Sequence, residues 1–110
     1  MGLFIAIIRK RYLKMQRSTA EWQLHLITQA KRTATNSVNE LMQVGTDYES
    51  DSAIAKKLQQ RQYKLKLLEE KLDERKEELE ILIKSYSEEI ESCDSMIENH
   101  MKESFSYSLS

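Results

Sequence analysis

The side chains with the strongest potential for chemistry are Cys93 and His100, which lie seven residues apart, and the distant His25. A seven-residue step places Cys93 and His100 on one helical face, where a thiolate and an imidazole could share a soft metal. Two ligands are too few for a closed site, and that face otherwise offers only Met96 and Met101. The sequence therefore predicts no metal and no cofactor, with Cys93 as a buried thiol and His100 as a partly exposed histidine.

Motifs for catalysis are absent from the sequence. It contains no glycine-rich phosphate loop, no Ser–His–Asp arrangement and no metal-spaced cluster. The many carboxylates of the second half are most simply a solvated helical face. We therefore predict that the chain is not an enzyme and has no small-molecule substrate.

A basic block occupies residues 1–17, which hold five cations and no acid, whereas residues 85–110 are strongly acidic. Aromatics among cations occur in single-strand-binding proteins, but the net charge of −1 makes nucleic acid a disfavoured partner. With the apolar Leu3–Ile8, the block also has the character of a helix that lies on an anionic membrane. The alternative to membrane binding is that these residues make ordinary contacts within a hairpin or oligomer. The cations are Arg9, Lys10, Arg11, Lys14 and Arg17.

The elements that carry these residues should be long helices. Proline is absent, glycine occurs only at Gly2 and Gly45, and 32% of the residues are charged. Gly45 suits a left-handed residue that closes a helix, and Ser50, Asp51 or Ser52 could cap the next one. The sequence predicts an all-α fold, an antiparallel helical hairpin with coiled-coil character and a long second helix. Its parts are a basic amphipathic segment at 1–17 that begins helix 1, helix 1 at 18–44, a turn at 45–51, helix 2 at 52–103 and an apolar, serine-rich tail at 104–110.

Apolar residues recur along both helices. In helix 1, steps of three and four predict one broad face that contains Tyr12, Met15, Trp22, Leu26, Ile27, Ala30, Ala34, Val38 and Leu41. In helix 2, strict seven-residue intervals join Leu58, Leu65, Leu72, Leu79, Tyr86 and Cys93. Three residues after each comes a mixed series of Arg61, Leu68, Arg75, Leu82, Glu89 and Met96. The predicted helix-pair core is Ile27, Ala34, Val38 and Leu41 against Leu58, Leu65, Leu68, Leu72, Leu79 and Leu82.

Charge suggests the register of the hairpin. A turn centred near Tyr48 pairs residues whose numbers sum to about 96, which brings the basic block alongside the glutamates of helix 2. The last fifteen or so residues then extend beyond helix 1 as an apolar tip. In the tail, polar and apolar residues alternate with a period typical of strands, so it is either frayed or ordered against another subunit. The predicted interface is Leu3, Phe4, Ile7, Ile8, Tyr12, Trp22, Ile97, Met101, Phe105, Tyr107 and Leu109. For Trp22, packing in the core between the helices is the favoured alternative to a role as a partner anchor.

Location is only weakly constrained. No run reaches the roughly 18–20 apolar residues of a membrane span, and the cations follow the short apolar start, the reverse of a secretory signal. The single Cys93 excludes an internal disulfide. We expect synthesis as a cytoplasmic protein, with non-classical export as an open alternative.

This outline resembles small exported helical hairpins of bacteria, such as type III secretion needle subunits and WXG100 proteins. The turn lacks a Trp-x-Gly, and Gly45–Ser52 lacks the proline-containing turn of needle subunits. The chain is also similar to small bacterial helical proteins of unknown activity that open Met-Gly-Leu and carry a Glu-x-Gln…Ile-x-Gln block, here Glu21–Gln23 and Ile27–Lys31. The first resemblance implies a subunit of a filament or ring in a secretion-type apparatus, the second implies no known activity, and neither carries over a functional residue.

Together these patterns favour a non-enzymatic structural subunit or assembly module, a homo-oligomer or the partner of another helical protein. It would associate through helix packing and its apolar tip. The alternative is an adaptor or chaperone whose basic amphipathic N-terminus binds a membrane surface or a client protein.

Overall fold

The computed structural model describes residues 2–45 and 52–109, with side chains for 2–44 and 52–106. Helix α1 is Leu3–Gly45 and helix α2 is Ala53–Leu109, and no strand occurs among the described residues. The two helices pack against each other in a helical hairpin, which confirms the predicted fold class.

The helix starts have clear hydrogen-bonding causes. The carbonyl of Gly2 accepts from the amides of Ile5 and Ala6 at 3.2 and 3.4 Å, so α1 begins directly after it. At the start of α2, the hydroxyl of Ser52 accepts from the amide of Ala55 at 3.1 Å. Ser52 is therefore the cap of α2, one of the three predicted candidates.

The helix ends differ from the sequence-based expectations. Gly45 lies within α1, and no described glycine has a positive φ, so the expected left-handed closure at Gly45 is not found. The turn residues 46–51 lie outside the described residues. Helix α2 continues to Leu109, past the expected end at 103. Since no strand is there to pair with, adding helical hydrogen bonds to an existing helix is the favourable outcome for this segment.

Packing divides the chain into two units. The terminal unit contains Met1–Gln23 and Leu79–Ser110, and the loop unit contains Leu24–Glu78. Each unit holds one stretch of α1 and one of α2.

The inward face of α1 follows a heptad repeat with alternating steps of three and four residues. None of these side chains belongs to the exposed class, which fits coiled-coil packing. One seven-residue series alternates alanine with larger apolar residues: Ala6, Leu13, Ala20, Ile27, Ala34 and Leu41. The other series is Leu3, Lys10, Arg17, Leu24, Lys31 and Val38.

The inward face of α2 has the same heptad repeat. In the first half of the helix, however, only one of the two seven-residue series is apolar. The predicted series from Leu58 to Cys93 is buried or half-buried along its whole length. The second inward series lies four residues after the first, not three, and consists of Gln62, Glu69, Lys76, Ile83, Ile90 and Ile97. Consequently Leu68 and Leu82, assigned above to the core, are 46% and 38% exposed. Polar residues at 62, 69 and 76 had hidden this series from a search for apolar periodicity.

The terminal unit has an apolar centre. Leu13 of α1 is buried with Ile90 and Cys93 of α2, and Tyr86 packs against them. Leu79 is fully buried at 0% exposure. Burial of apolar area is the main stabilising contribution, so this cluster anchors the packing of α1 on α2 in this unit.

The loop unit has a more polar seam. Glu69 projects from an inward position, and its Oε1 is buried without a hydrogen-bond partner among the described residues. A buried, unsatisfied carboxylate oxygen costs about 1–3 kcal/mol. Glu69→Leu should therefore raise the free energy of unfolding by about 1–2 kcal/mol in urea titrations followed by circular dichroism. The exposed neighbour Glu70→Leu serves as the control, and equal gains for both variants would contradict this explanation.

Ion pairs report the register of the hairpin. Lys10 pairs with Asp94, and Lys31 pairs with Asp73. Arg17 donates to the hydroxyl of Ser87 at 3.3 Å. The numbers in each of these pairs sum to 104, whereas Arg9 and Glu89, 3.1 Å apart, sum to 98. In the first three pairs the partner in α2 therefore lies eight residues beyond the position given by the predicted sum of about 96, and Glu89 lies two residues beyond it.

The ion pair between Lys31 and Asp73 in the loop unit should make folding stability depend on pH. The hydrogen bond from Lys31 to Asp73, followed by the carboxylate charges of Asp73 and Glu69, raises the pKa of Lys31 above 10.5. A raised pKa in the folded state adds stability at low and neutral pH that is lost as the pH rises through that pKa. Asp73→Asn should therefore be less stable than the wild type at pH 7, and the difference should shrink in melting curves recorded above pH 10.5. A difference that is constant with pH would contradict the pairing.

Candidate association surface

A second apolar stripe runs along α1 in the terminal unit, on the face that points away from α2. We call it the outer stripe and define it as Ile5, Ile8, Tyr12, Met15, Thr19 and Trp22. Its steps are again three and four residues, and every member is exposed. Ile8, Met15 and Trp22 are 66%, 65% and 61% exposed. The spacing is that of a coiled-coil seam, and in the part of the chain that the structure describes each of its large apolar side chains is at least half exposed.

The outer stripe is more apolar than the face of α1 that packs on α2. Across the same segment, the inward positions hold two leucines, two alanines and two cations: Leu3, Ala6, Lys10, Leu13, Arg17 and Ala20. The outer stripe holds two isoleucines, a methionine, a tyrosine, a tryptophan and only one polar residue, Thr19. A helix in a monomer normally turns its more apolar face to the core. The reverse arrangement here marks the outer stripe as a candidate interface.

The outward face of α2 in the terminal unit does not share this character. Its corresponding heptad positions are Ile81, Ser85, Glu88, Ser92, Ser95, Asn99 and Lys102. Of these only Ile81 is apolar, and it is 70% exposed. The exposed apolar seam of this unit therefore belongs to α1.

Most cations of the basic block bind residues of α2. Arg9 pairs with Glu89, Lys10 with Asp94, and Arg17 with the hydroxyl of Ser87. Arg11 and Lys14 are exposed and have no ion pair within 4.0 Å among the described side chains. Glu89, Asp94 and Glu21 thus pair with three of the five cations inside the terminal unit, and the exposed Arg11 lies beside the outer stripe.

The remaining predicted interface residues have varied positions. Phe4 is 78% exposed and neighbours Ile8 of the outer stripe, whereas Ile7 is 37% exposed and neighbours the inward Leu3 and Lys10. Leu3 and Ile97 are half-buried in the seam between α1 and α2. Trp22 lies on the outer stripe, and not in the core between the helices.

The structure describes only part of the predicted apolar tip. Met101 and Phe105 are 60% and 66% exposed and line a shallow groove with Glu98, Lys102 and Ser106. The side chains of Tyr107 and Leu109 lie outside the described residues. The described part of the tip therefore offers two exposed apolar side chains, Met101 and Phe105.

The possible metal ligands do not form a site among the described residues. Cys93 is 3% exposed and belongs to the apolar centre, while His100 is half-buried. In the described part of the chain, no three or more His, Cys, Asp or Glu side chains are grouped so that they could hold a metal ion. Neither described helix is long and apolar enough to cross a membrane.

Comparisons with protein-family models, with curated proteins and with solved structures give no match for this chain. The resemblance to needle subunits and WXG100 proteins therefore stays a prediction. The residues of the chain itself carry the argument about function.

The sequence contained the signal for the outer stripe. Six positions from Ile5 to Trp22 follow the coiled-coil steps, and five of them are apolar. The single broad face predicted for helix 1 combines part of this stripe with the inward residues, because both sets lie on one helix and recur at steps of three and four residues.

Proposed function

We propose that this protein is a non-enzymatic assembly module that self-associates through the outer stripe of α1. The observation that carries the proposal is the inverted polarity of α1 in the terminal unit, where the exposed face is more apolar than the packed one. When a second helix covers a face of this kind, apolar surface is removed from water and the free energy falls.

The energetic scale supports association. Full burial of a large apolar side chain contributes about 1.5–3 kcal/mol, and the outer stripe presents five such residues at half exposure or more. Association must overcome roughly 4–15 kcal/mol of lost translational and rotational freedom. A partner with an apolar seam of its own doubles the favourable free energy of burial. That sum can exceed the cost of the lost translational and rotational freedom.

The direct test is sedimentation velocity or multi-angle light scattering over about 1–100 μM, the range in which a free energy near −7 kcal/mol gives partial association. We expect the mass to rise with concentration to at least that of a dimer. A mass of 13.0 kDa at every concentration would overturn the proposal.

An adaptor that binds a membrane surface is the second candidate. The observation in its favour is that Arg11 is exposed beside an apolar stripe and Lys14 is exposed on the same helix, as in interfacial helices. A monomer that co-sediments with vesicles rich in phosphatidylserine, but not with phosphatidylcholine vesicles, would favour this function. The narrow heptad spacing and the interruption at Thr19 argue instead for a helical partner.

The finer proposal is that the assembly is a filament or ring, as in a bacterial secretion apparatus. This requires a second, different contact on each chain, and the exposed Met101 and Phe105 of α2 are the candidates. Electron micrographs of the purified protein test this directly. Deleting residues 104–110 should abolish filaments or rings while leaving the stripe-mediated association, and unchanged particles would exclude a role for the tail.

A further inference from the structure

We infer that the outer stripe binds the outer stripe of a second copy of this chain, in antiparallel orientation, with Tyr12 of one copy against Met15 of the other. This inference rests on the proposed function and adds the partner, the orientation and the register. The result is a closed pair of hairpins joined through their α1 helices.

The side chains of the stripe complement each other in this register. Antiparallel pairing about a point between residues 13 and 14 places Ile5 opposite Trp22, Ile8 opposite Thr19, and Tyr12 opposite Met15. Each layer then combines a larger side chain with a smaller or more flexible one, which is how facing layers interdigitate. In a parallel pair, Trp22 would face Trp22 and Thr19 would face Thr19, so layers of very unequal volume would follow each other.

The charges beside the stripe permit this contact. In the antiparallel register Arg11 lies beside Ser18 of the second copy, and Arg9 lies beside Gln16. No two cations are placed directly opposite each other, and Arg9 keeps its ion pair with Glu89. Because Glu89 and Asp94 of α2 and Glu21 of α1 pair with three of the five cations, two terminal units can approach without strong repulsion.

The available area is sufficient for a stable pair. Phe4, Tyr12 and Trp22 are 78%, 59% and 61% exposed. If each such aromatic offers roughly 150–250 Å² when fully exposed, these three alone leave about 300–500 Å² per copy. Two copies, with Ile5, Ile8 and Met15 added, exceed the roughly 1,000 Å² that a specific interface needs.

The same surface on both copies makes the contact isologous, so it closes at two. The outward face of α2 in the terminal unit is polar at six of its seven heptad positions and offers no equivalent seam. The outer stripe therefore accounts for a dimer, and any larger assembly needs another contact.

Interchain disulfides test the orientation in the full-length protein. Chains with Ile8→Cys and chains with Thr19→Cys are mixed in equal amounts and oxidised, because a disulfide requires Cα atoms within about 7 Å. We expect a shift to doubled mass on non-reducing gels, and peptide mass spectra should show the 8–19 link in clear excess over 8–8 and 19–19 links. Wild-type protein controls for the buried Cys93, and a mixture of Ser85→Cys and Ser92→Cys chains controls for random collisions through α2. Circular dichroism of every variant checks that helix content is retained.

The outcomes separate this inference from the proposed function. Predominant 8–8 and 19–19 links would mean a parallel pair and would overturn the inference while self-association stands. An oligomer by sedimentation without any of these links would place the contact on another face, with the same consequence. A monomer by sedimentation would overturn both.

Discussion

Replacing Leu79 by alanine should lower the free energy of unfolding by about 2–5 kcal/mol, the usual cost of removing a large buried aliphatic side chain. Leu79 is the largest fully buried side chain of the described residues, at 0% exposure. The loss combines the transfer free energy of the deleted methyl groups with the cavity that they leave. Urea denaturation followed by circular dichroism, at one fixed protein concentration, measures the effect.

Leu82 provides the matched control on the same helix. It lies three residues further along and is 38% exposed, although the sequence pattern had grouped it with Leu79. Leu82→Ala should cost no more than about 0.5–1 kcal/mol, because most surface substitutions have small effects. Similar losses for the two variants would mean that the second inward series of α2 has been assigned to the wrong positions.

The second large effect is expected at the outer stripe. The double substitution Ile8→Glu and Met15→Glu should weaken self-association by at least about 100-fold, which corresponds to a loss of about 3 kcal/mol. The reason is that two carboxylates would have to leave water without a partner when the stripes meet. Sedimentation velocity across a concentration series gives the dissociation constants of the variant and the wild type.

The control adds the same charge to the other helix. Ile81→Glu with Ser85→Glu places two carboxylates on the outward face of α2, where residues 81 and 85 are both exposed. We expect its dissociation constant to stay within a few-fold of the wild-type value. Equal weakening by both double variants would point to a general effect of charge, and loss of helix content in either would remove it from the comparison.

Helices and their pairing followed from the sequence because each rests on local or repeated features. The absence of proline and the seven-residue series from Leu58 to Cys93 are sufficient to predict a long helix that packs along one seam. Ser52 as the cap of α2 follows equally from local hydrogen bonding. These features do not depend on which residue of α1 faces which residue of α2.

The inward positions of α2 were harder to predict, because apolar periodicity cannot reveal polar residues in a seam. Gln62, Glu69 and Lys76 occupy inward positions that only the packing of α1 on α2 defines. The register had the same difficulty. It depends on a turn whose position the charge blocks indicate only to within several residues, since exposed ion pairs contribute about 0–1 kcal/mol each.

The single broad face predicted for helix 1 is two faces in the structure. Tyr12, Met15 and Trp22 point outward, whereas Ala34 and Val38 are buried. Residues at steps of three and four stay on one side only when the steps continue without a break. The adjacent pair Leu26 and Ile27 is such a break, because neighbouring helical residues differ by about 100° in direction.

The alanines of the inward face have a consequence for how the protein folds. Ala6 and Ala20 bury little apolar area, so the packing of α1 on α2 in the terminal unit depends heavily on Leu13 and its neighbours. If the outer stripe is covered only in an oligomer, much of the apolar area of α1 is removed from water only when two chains meet. Folding and association would then be one linked equilibrium, and dilution alone would lower the melting temperature.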